Sequence, residues 1–126
     1  MSLRTPLARA KGLGSAHEGV GHWWVQRVTA VALVPLVLWM VWSLIGLIGA
    51  DYAAVRDWMR HPINGGLLVV LLLILFHHAA LGLQVVIEDY LHAEGVKLFV
   101  MAVAKFAMYL LAAICVFSVL LVALGG

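Results

Sequence analysis

HPINGGLLVVLLLILFHHAALGLQVVI, residues 61–87, runs for 27 residues without one Lys, Arg, Asp or Glu. About 20 apolar residues in a helix are enough to cross a hydrocarbon core of about 30 Å, so this stretch can span a membrane with a tilt or with its ends projecting. Upstream, between Arg27 and Asp51, residues 28–50 (VTAVALVPLVLWMVWSLIGLIGA) form a second uncharged run of 23 residues. Downstream, beyond Lys97 at its very start, the run at residues 96–124 is interrupted only by Lys105, placed near enough to the start of the run to snorkel to an interface. None of the three runs alternates apolar and polar residues as a barrel strand does, and a spanning segment must satisfy its own backbone. The expected fold is therefore all-α: one integral-membrane domain over residues 1–126, with an inside N-terminal segment at 1–22. Its spans are expected at about 24–49, 63–91 and 96–124.

Composition closes off other classes. Of 126 residues, 65% are apolar and 11% charged, less than half the charge of an ordinary soluble domain. The net charge of +2 is small and the eight Lys and Arg are scattered, so neither a disordered tail nor a nucleic-acid partner is expected. A single cysteine, Cys115, excludes an internal disulfide and any Cys-rich zinc or iron–sulfur site. The apolar core of the first run and the segment before it are both too long for a secretory signal. Residues 1–17 are broken by Pro6, Gly12 and Gly14, which disfavours an organellar presequence.

Three spans place the termini on opposite sides of the membrane. Arg4, Arg9, Lys11, Arg27 and Lys97 fall on the N-terminal side, against Arg56 and Arg60 in the first loop, which predicts an inside N-terminus. Trp23, Trp24 and Trp58 fall at expected interfaces, whereas Trp39 and Trp42 lie deeper and are expected to pack.

The residues that do not belong in lipid carry the functional information. His77 and His78 lie near the middle of the second span, roughly 20 Å of helical rise from its end near Leu91. Two roles suit an imidazole at that depth: a hydrogen bond to a neighbouring helix, or axial ligation of a b-type haem. His78 shares a helical stripe with Gly82, Val85 and Asp89, and a glycine one turn from a ligand leaves room for a porphyrin edge or for close helix packing. His77 is rotated by about 100° from that stripe, which favours His78 as ligand and leaves His77 a packing or hydrogen-bonding residue. Arg27, at the mouth of the first span, either anchors the helix or forks onto a haem propionate. Asp89 and Tyr90 end the second span. There a phenol can donate to a quinone carbonyl and a carboxylate can pass protons, or both can simply mark a wetted helix end.

Three segments together, Q-R-V-T-A at Gln26–Ala30, H-A-A-L-G at His78–Gly82 and D-Y at Asp89–Tyr90, resemble the small hydrophobic membrane anchor subunit of succinate dehydrogenase, respiratory complex II. In that family an Arg-x-Thr-Ala segment opens the first helix, a His-Ala-x-x-Gly segment carries the haem ligand, and Tyr follows His by twelve residues, the separation of His78 and Tyr90. The resemblance covers essentially the whole chain. It implies that His78 is one axial ligand of haem b, the other coming from a partner cytochrome b subunit that completes the helical bundle. It further implies that Arg27 contacts a propionate, that Tyr90 binds ubiquinone, and that Asp89 lies near the quinone in proton delivery. Gln84 falls six residues after His78 where some relatives place glutamine at seven, and His22 takes no role.

On this reading an iron–sulfur subunit and a flavoprotein subunit oxidise succinate, and the chain serves catalysis only as part of the complex. The expected location is the bacterial inner membrane, with the N-terminus cytoplasmic, in preference to the mitochondrial one. The alternatives are a fumarate reductase anchor, in which the same histidine only packs, and a small helical transporter. A transporter needs an intramembrane acid, and every Asp and Glu here lies at or beyond an expected interface.

Overall fold

The computed structural model describes residues 16–125. Four helices follow one another: α1 (Ala16–Gly46), α2 (Tyr52–Arg60), α3 (Pro62–Tyr90) and α4 (Glu94–Leu124). No strand occurs among the described residues. Three segments are long and apolar enough to cross a membrane: Val20–Gly46, Pro62–Tyr90 and Glu94–Leu124, of 27, 29 and 31 residues. The all-α expectation of three spans is met. The basic residues Arg4, Arg9 and Lys11 that enter the orientation argument lie outside the described residues, as does most of the segment 1–22.

Local chemistry sets the element ends. Past α1, the Leu47 N–H donates to the Ser43 carbonyl at 3.0 Å, Gly49 supplies a left-handed turn at φ +81, and Asp51 then caps α2. The Asp51 carboxylate accepts from the Ala54 N–H at 2.9 Å, a cap worth about 1 kcal/mol. The nine-residue α2 is amphipathic and lies in what the reading by uncharged runs treats simply as the first loop. It is too short and too polar to register as a span. Its Trp58 stacks on Trp39 of α1, with ring centroids 5.7 Å apart and planes 20° from parallel. Pro62 opens α3 at a position where a missing N–H costs nothing. At the corner between the two helices, a Cβ on Gly65 would meet the Met59 carbonyl oxygen at 2.5 Å, so the close approach requires glycine there.

Arg60 ties α2 to the far end of α4. Its guanidinium donates from Nε to the Ala123 carbonyl at 3.1 Å and from Nη2 to the Gly125 carbonyl at 2.7 Å. A cation there meets both the orphan carbonyls and the negative end of the helix dipole.

α3 is the central helix: α1 and α4 both pack on it, and α2 packs on α3 and α4. The buried residues are few and apolar, namely Leu68, Leu71, Ala80 and Ile87 of α3 with Ala112 and Val119 of α4. Ala80 is 1% exposed, as a small residue at a close helix contact should be. No described residue of α1 is buried, and its valines and leucines turn outward. Lipid is as apolar as leucine, so burial provides little drive for helices to associate in a bilayer. Polar contacts between α1 and α3 therefore gain weight. Trp42, expected to pack, is instead 78% exposed, because it projects from the face of α1 that turns away from α3.

Candidate functional site

The two adjacent histidines of α3 reach opposite neighbours. His77 Nδ1 lies 3.1 Å from the Tyr109 hydroxyl of α4, with the rings tilted by 37°. His78 Nδ1 lies 2.9 Å from the Thr29 hydroxyl of α1. A step of about 100° per residue sends consecutive side chains to different helices, so the doublet fastens α3 on both sides. Each contact spans helices where water is scarce, which is the usual place for polar glue in a bilayer.

Below the Thr29 contact, α1 presents His22, Gln26 and Thr29, spaced four and three residues apart and so on one helical face. Gly82 of α3 comes close to this face: a Cβ built there would lie 3.9 Å from Gln26 Nε2. Next to it opens a cleft of about 440 Å³ lined by His22, Trp23, Gln26, Arg27, Gly82 and Val85. Gly82 and Val85 of the stripe read from the sequence thus form the α3 wall of a real recess, and His78 lies one helical turn before Gly82, where it meets Thr29. Arg27 stands on the α1 wall, its guanidinium carbon 5.1 Å from the centre of the Trp23 ring, a cation–π contact.

The recess carries unmet hydrogen-bonding capacity. His22 Nε2 and Gln26 Oε1 are both buried and have no hydrogen-bond partner among the described residues. Buried polar atoms in native proteins are almost always paired, so these two point to a group from outside the chain. No cluster of three or more His, Cys, Asp or Glu suited to a metal ion occurs among the described residues. A metal held here must therefore bring most of its own ligands. A porphyrin does so, taking one imidazole from the protein, and the residues present fit that demand. His78 has a ring nitrogen beyond the one engaged by Thr29, Gly82 sits one turn away, and Arg27 lines the same recess.

Asp89 and Tyr90 stand apart from this cleft. Tyr90 ends α3, eight residues or about 12 Å of helical rise beyond Gly82, and is 78% exposed. Neither residue makes a side-chain hydrogen bond or ion pair among the described residues, whereas the neighbouring Glu88 accepts from Gln84 Nε2 at 3.1 Å. Gly82 and Arg27 are brought to one recess, with His78 one helical turn from Gly82, and Asp89 and Tyr90 lie at the adjoining helix end.

The family model described as succinate dehydrogenase/fumarate reductase transmembrane subunit matches residues 1–123. The chain belongs to this family. Similar proteins include the succinate dehydrogenase hydrophobic membrane anchor subunit of Rickettsia bellii (strain RML369-C), 35% identical over 95 residues that cover 75% of this chain and 76% of the relative. The subunit of the same name from Paracoccus denitrificans is 31% identical over 90 residues, covering 71% and 70%. A succinate dehydrogenase membrane anchor subunit from Reclinomonas americana is 30% identical over 84 residues, covering 64% and 70%. No solved structure matches significantly.

As a succinate dehydrogenase transmembrane subunit, the chain is one component of a larger assembly, and its outward-facing α1 is available to other subunits as well as to lipid. Within the transmembrane subunit, sequence reading missed Thr29 and Gln26 as site residues. Their signal was the polar face His22, Gln26, Thr29 at helical spacing inside an otherwise apolar run.

Proposed function

We propose that this anchor subunit holds haem b through His78 and forms part of the site where ubiquinone is reduced. The observation that carries the reading is a recess lined by a glycine, an arginine and two unpaired buried polar atoms, with a mid-span imidazole that keeps a free ring nitrogen one helical turn from that glycine. Haem b, when bound between this chain and a partner cytochrome b subunit, would supply one-electron storage.

The chain's own residues have separable tasks. His78 would offer Nε2, the ring nitrogen that Thr29 does not engage, while the Thr29 contact orients the ring. Arg27 offers a guanidinium fork for a propionate carboxylate, and the cation–π contact with Trp23 holds it at the edge of the cleft. Gly82 keeps the α3 wall flat. At the end of α3, the exposed Tyr90 hydroxyl donates a hydrogen bond to a quinone carbonyl, and Asp89 beside it passes protons from water. Reducing the quinone to the quinol takes two electrons and two protons. The electrons come from succinate by way of the flavoprotein and iron–sulfur subunits, and the protons enter at the Asp89–Tyr90 end. The names of the relatives support succinate oxidation as the physiological direction. The membrane is the bacterial inner membrane, with the N-terminus cytoplasmic, which puts Tyr90 on the cytoplasmic side with the soluble subunits.

Purification of the whole complex from membranes, with haem counted per flavin and ubiquinone reductase activity measured, tests the reading. About one haem per flavin is expected, with quinone reduction but not flavin reduction impaired by Tyr90→Phe. A complex with full quinone reductase activity and no haem would overturn the haem assignment.

A further inference from the structure

We propose that Thr29 is a positioning residue that fixes His78 as the Nδ1–H tautomer and so leaves Nε2 with the lone pair that binds iron. The inference rests on the haem-ligand reading of His78 and adds to it the residue that selects which nitrogen is free.

The argument turns on one proton. The Thr29 Oγ1 lies 2.8 Å from the Val25 carbonyl oxygen, 3.0 Å from the Gln26 carbonyl oxygen and 2.9 Å from His78 Nδ1. Carbonyl oxygens only accept, so two oxygen–oxygen approaches this short are attractive only if the hydroxyl proton lies between them. That proton is directed back along α1, shared by the two carbonyls. The lone pairs of Oγ1 then face α3, and the short contact to His78 requires a proton on Nδ1. A neutral imidazole carries one N–H, so Nε2 is left as the acceptor.

His77 meets a different kind of hydroxyl. Its Nδ1 lies against the Tyr109 hydroxyl, which has no other hydrogen-bond partner among the described residues and so can either donate to Nδ1 or accept from it. That contact selects no tautomer. Of the two adjacent histidines, only His78 meets a hydroxyl whose proton is already directed elsewhere, and only His78 is prepared as a ligand through Nε2.

Donation from Nδ1–H to a threonine oxygen also raises the basicity of Nε2 and holds the ring plane, as outer-shell partners of metal-bound histidines do. A more basic ligand stabilises ferric over ferrous haem. Removing the acceptor should raise the midpoint potential and loosen the haem.

The test uses the intact purified complex carrying Thr29→Val, Thr29→Ala and Thr29→Ser, with His78→Ala alongside. The readouts are haem per flavin, haem loss to an apo-globin acceptor and the potentiometric midpoint. Thr29→Val and Thr29→Ala are expected to lose haem about tenfold faster or more and to titrate at higher potential, whereas Thr29→Ser, which keeps the hydroxyl, behaves as the wild type. If Val and Ala reduce assembly, Thr29→Cys, close to serine in shape but a weak acceptor, takes their place with the same expectation. Wild-type haem retention and potential in the hydroxyl-free variants, together with a b-type band abolished by His78→Ala, would overturn the role of Thr29 and leave His78 as ligand. A serine variant that shifts like alanine would assign the effect to packing of the methyl group and also overturn the proposal. Survival of the b-type band at unchanged potential in His78→Ala would remove the haem-ligand reading itself.

Discussion

Replacing Gly82 by alanine separates the structural use of this glycine from its use as a cleft wall. A Cβ at position 82 meets nothing nearer than Gln26 Nε2, at 3.9 Å, an ordinary van der Waals contact. The packing of α1 on α3 should therefore tolerate the methyl group, and helix propensity favours alanine by about 1 kcal/mol. The recess, in contrast, loses volume where a porphyrin edge is to lie. Overpacking a close-fitted site costs typically about 1–3 kcal/mol, which converts to about fivefold to 150-fold weaker haem retention. Gly82→Leu should exclude haem while the chain still inserts and co-purifies with its partners. The assay is haem per flavin beside the thermal midpoint of the detergent-solubilised complex: for Gly82→Ala, reduced haem and an unchanged or raised midpoint. Gly65→Ala is the control, because its Cβ would meet the Met59 backbone at 2.5 Å and should lower the midpoint. If Gly82→Leu kept full haem content and potential, the recess would not be the haem's wall.

Further outcomes follow from the same geometry. Arg27→Gln removes the cation lining the cleft, so the haem potential should fall, opposite in sign to the rise expected from Thr29→Val; a potentiometric titration showing both moving the same way would contradict the assigned roles. Tyr90→Phe should leave the haem spectrum intact and cut quinone turnover about fivefold or more, the worth of one hydrogen bond; unchanged kcat and KM for quinone would remove Tyr90 from the site. Tyr109→Phe breaks the contact to His77 and should cost only about 0.6 kcal/mol of stability with no change in the haem band. Arg60→Ala withdraws two hydrogen bonds from the end of α4, and amide exchange should quicken in that last turn while haem and quinone assays stay as in the wild type.

The spans were legible because charge is so scarce: Arg27, Asp51, Arg60 and Glu88 bracket the first two, and α3 begins and ends within two residues of Arg60 and Glu88, whereas α1 starts at Ala16, well before Arg27. α2 escaped that reading. Nine amphipathic residues leave no long uncharged run, although Asp51 three residues before Ala54 is a helix-capping arrangement. Depth in the membrane suggested packing for Trp42, whereas α1 meets the rest of the chain through α3 and the Trp39–Trp58 stack and shows its other faces, Trp42 among them, outward. At the site, His78, Gly82 and Val85 emerged from helical period alone. Thr29 did not, since its importance depends on which helix α1 faces and on the hydroxyl's two short carbonyl contacts, neither of which a single sequence contains.

The most direct measurement is the reduced-minus-oxidised difference spectrum of the purified complex for His78→Ala and, in parallel, His77→Ala. The predicted result is loss of the b-type band in His78→Ala and its retention in His77→Ala. A band that survives His78→Ala, or that disappears only with His77→Ala, would contradict the assignment of His78 as the haem ligand.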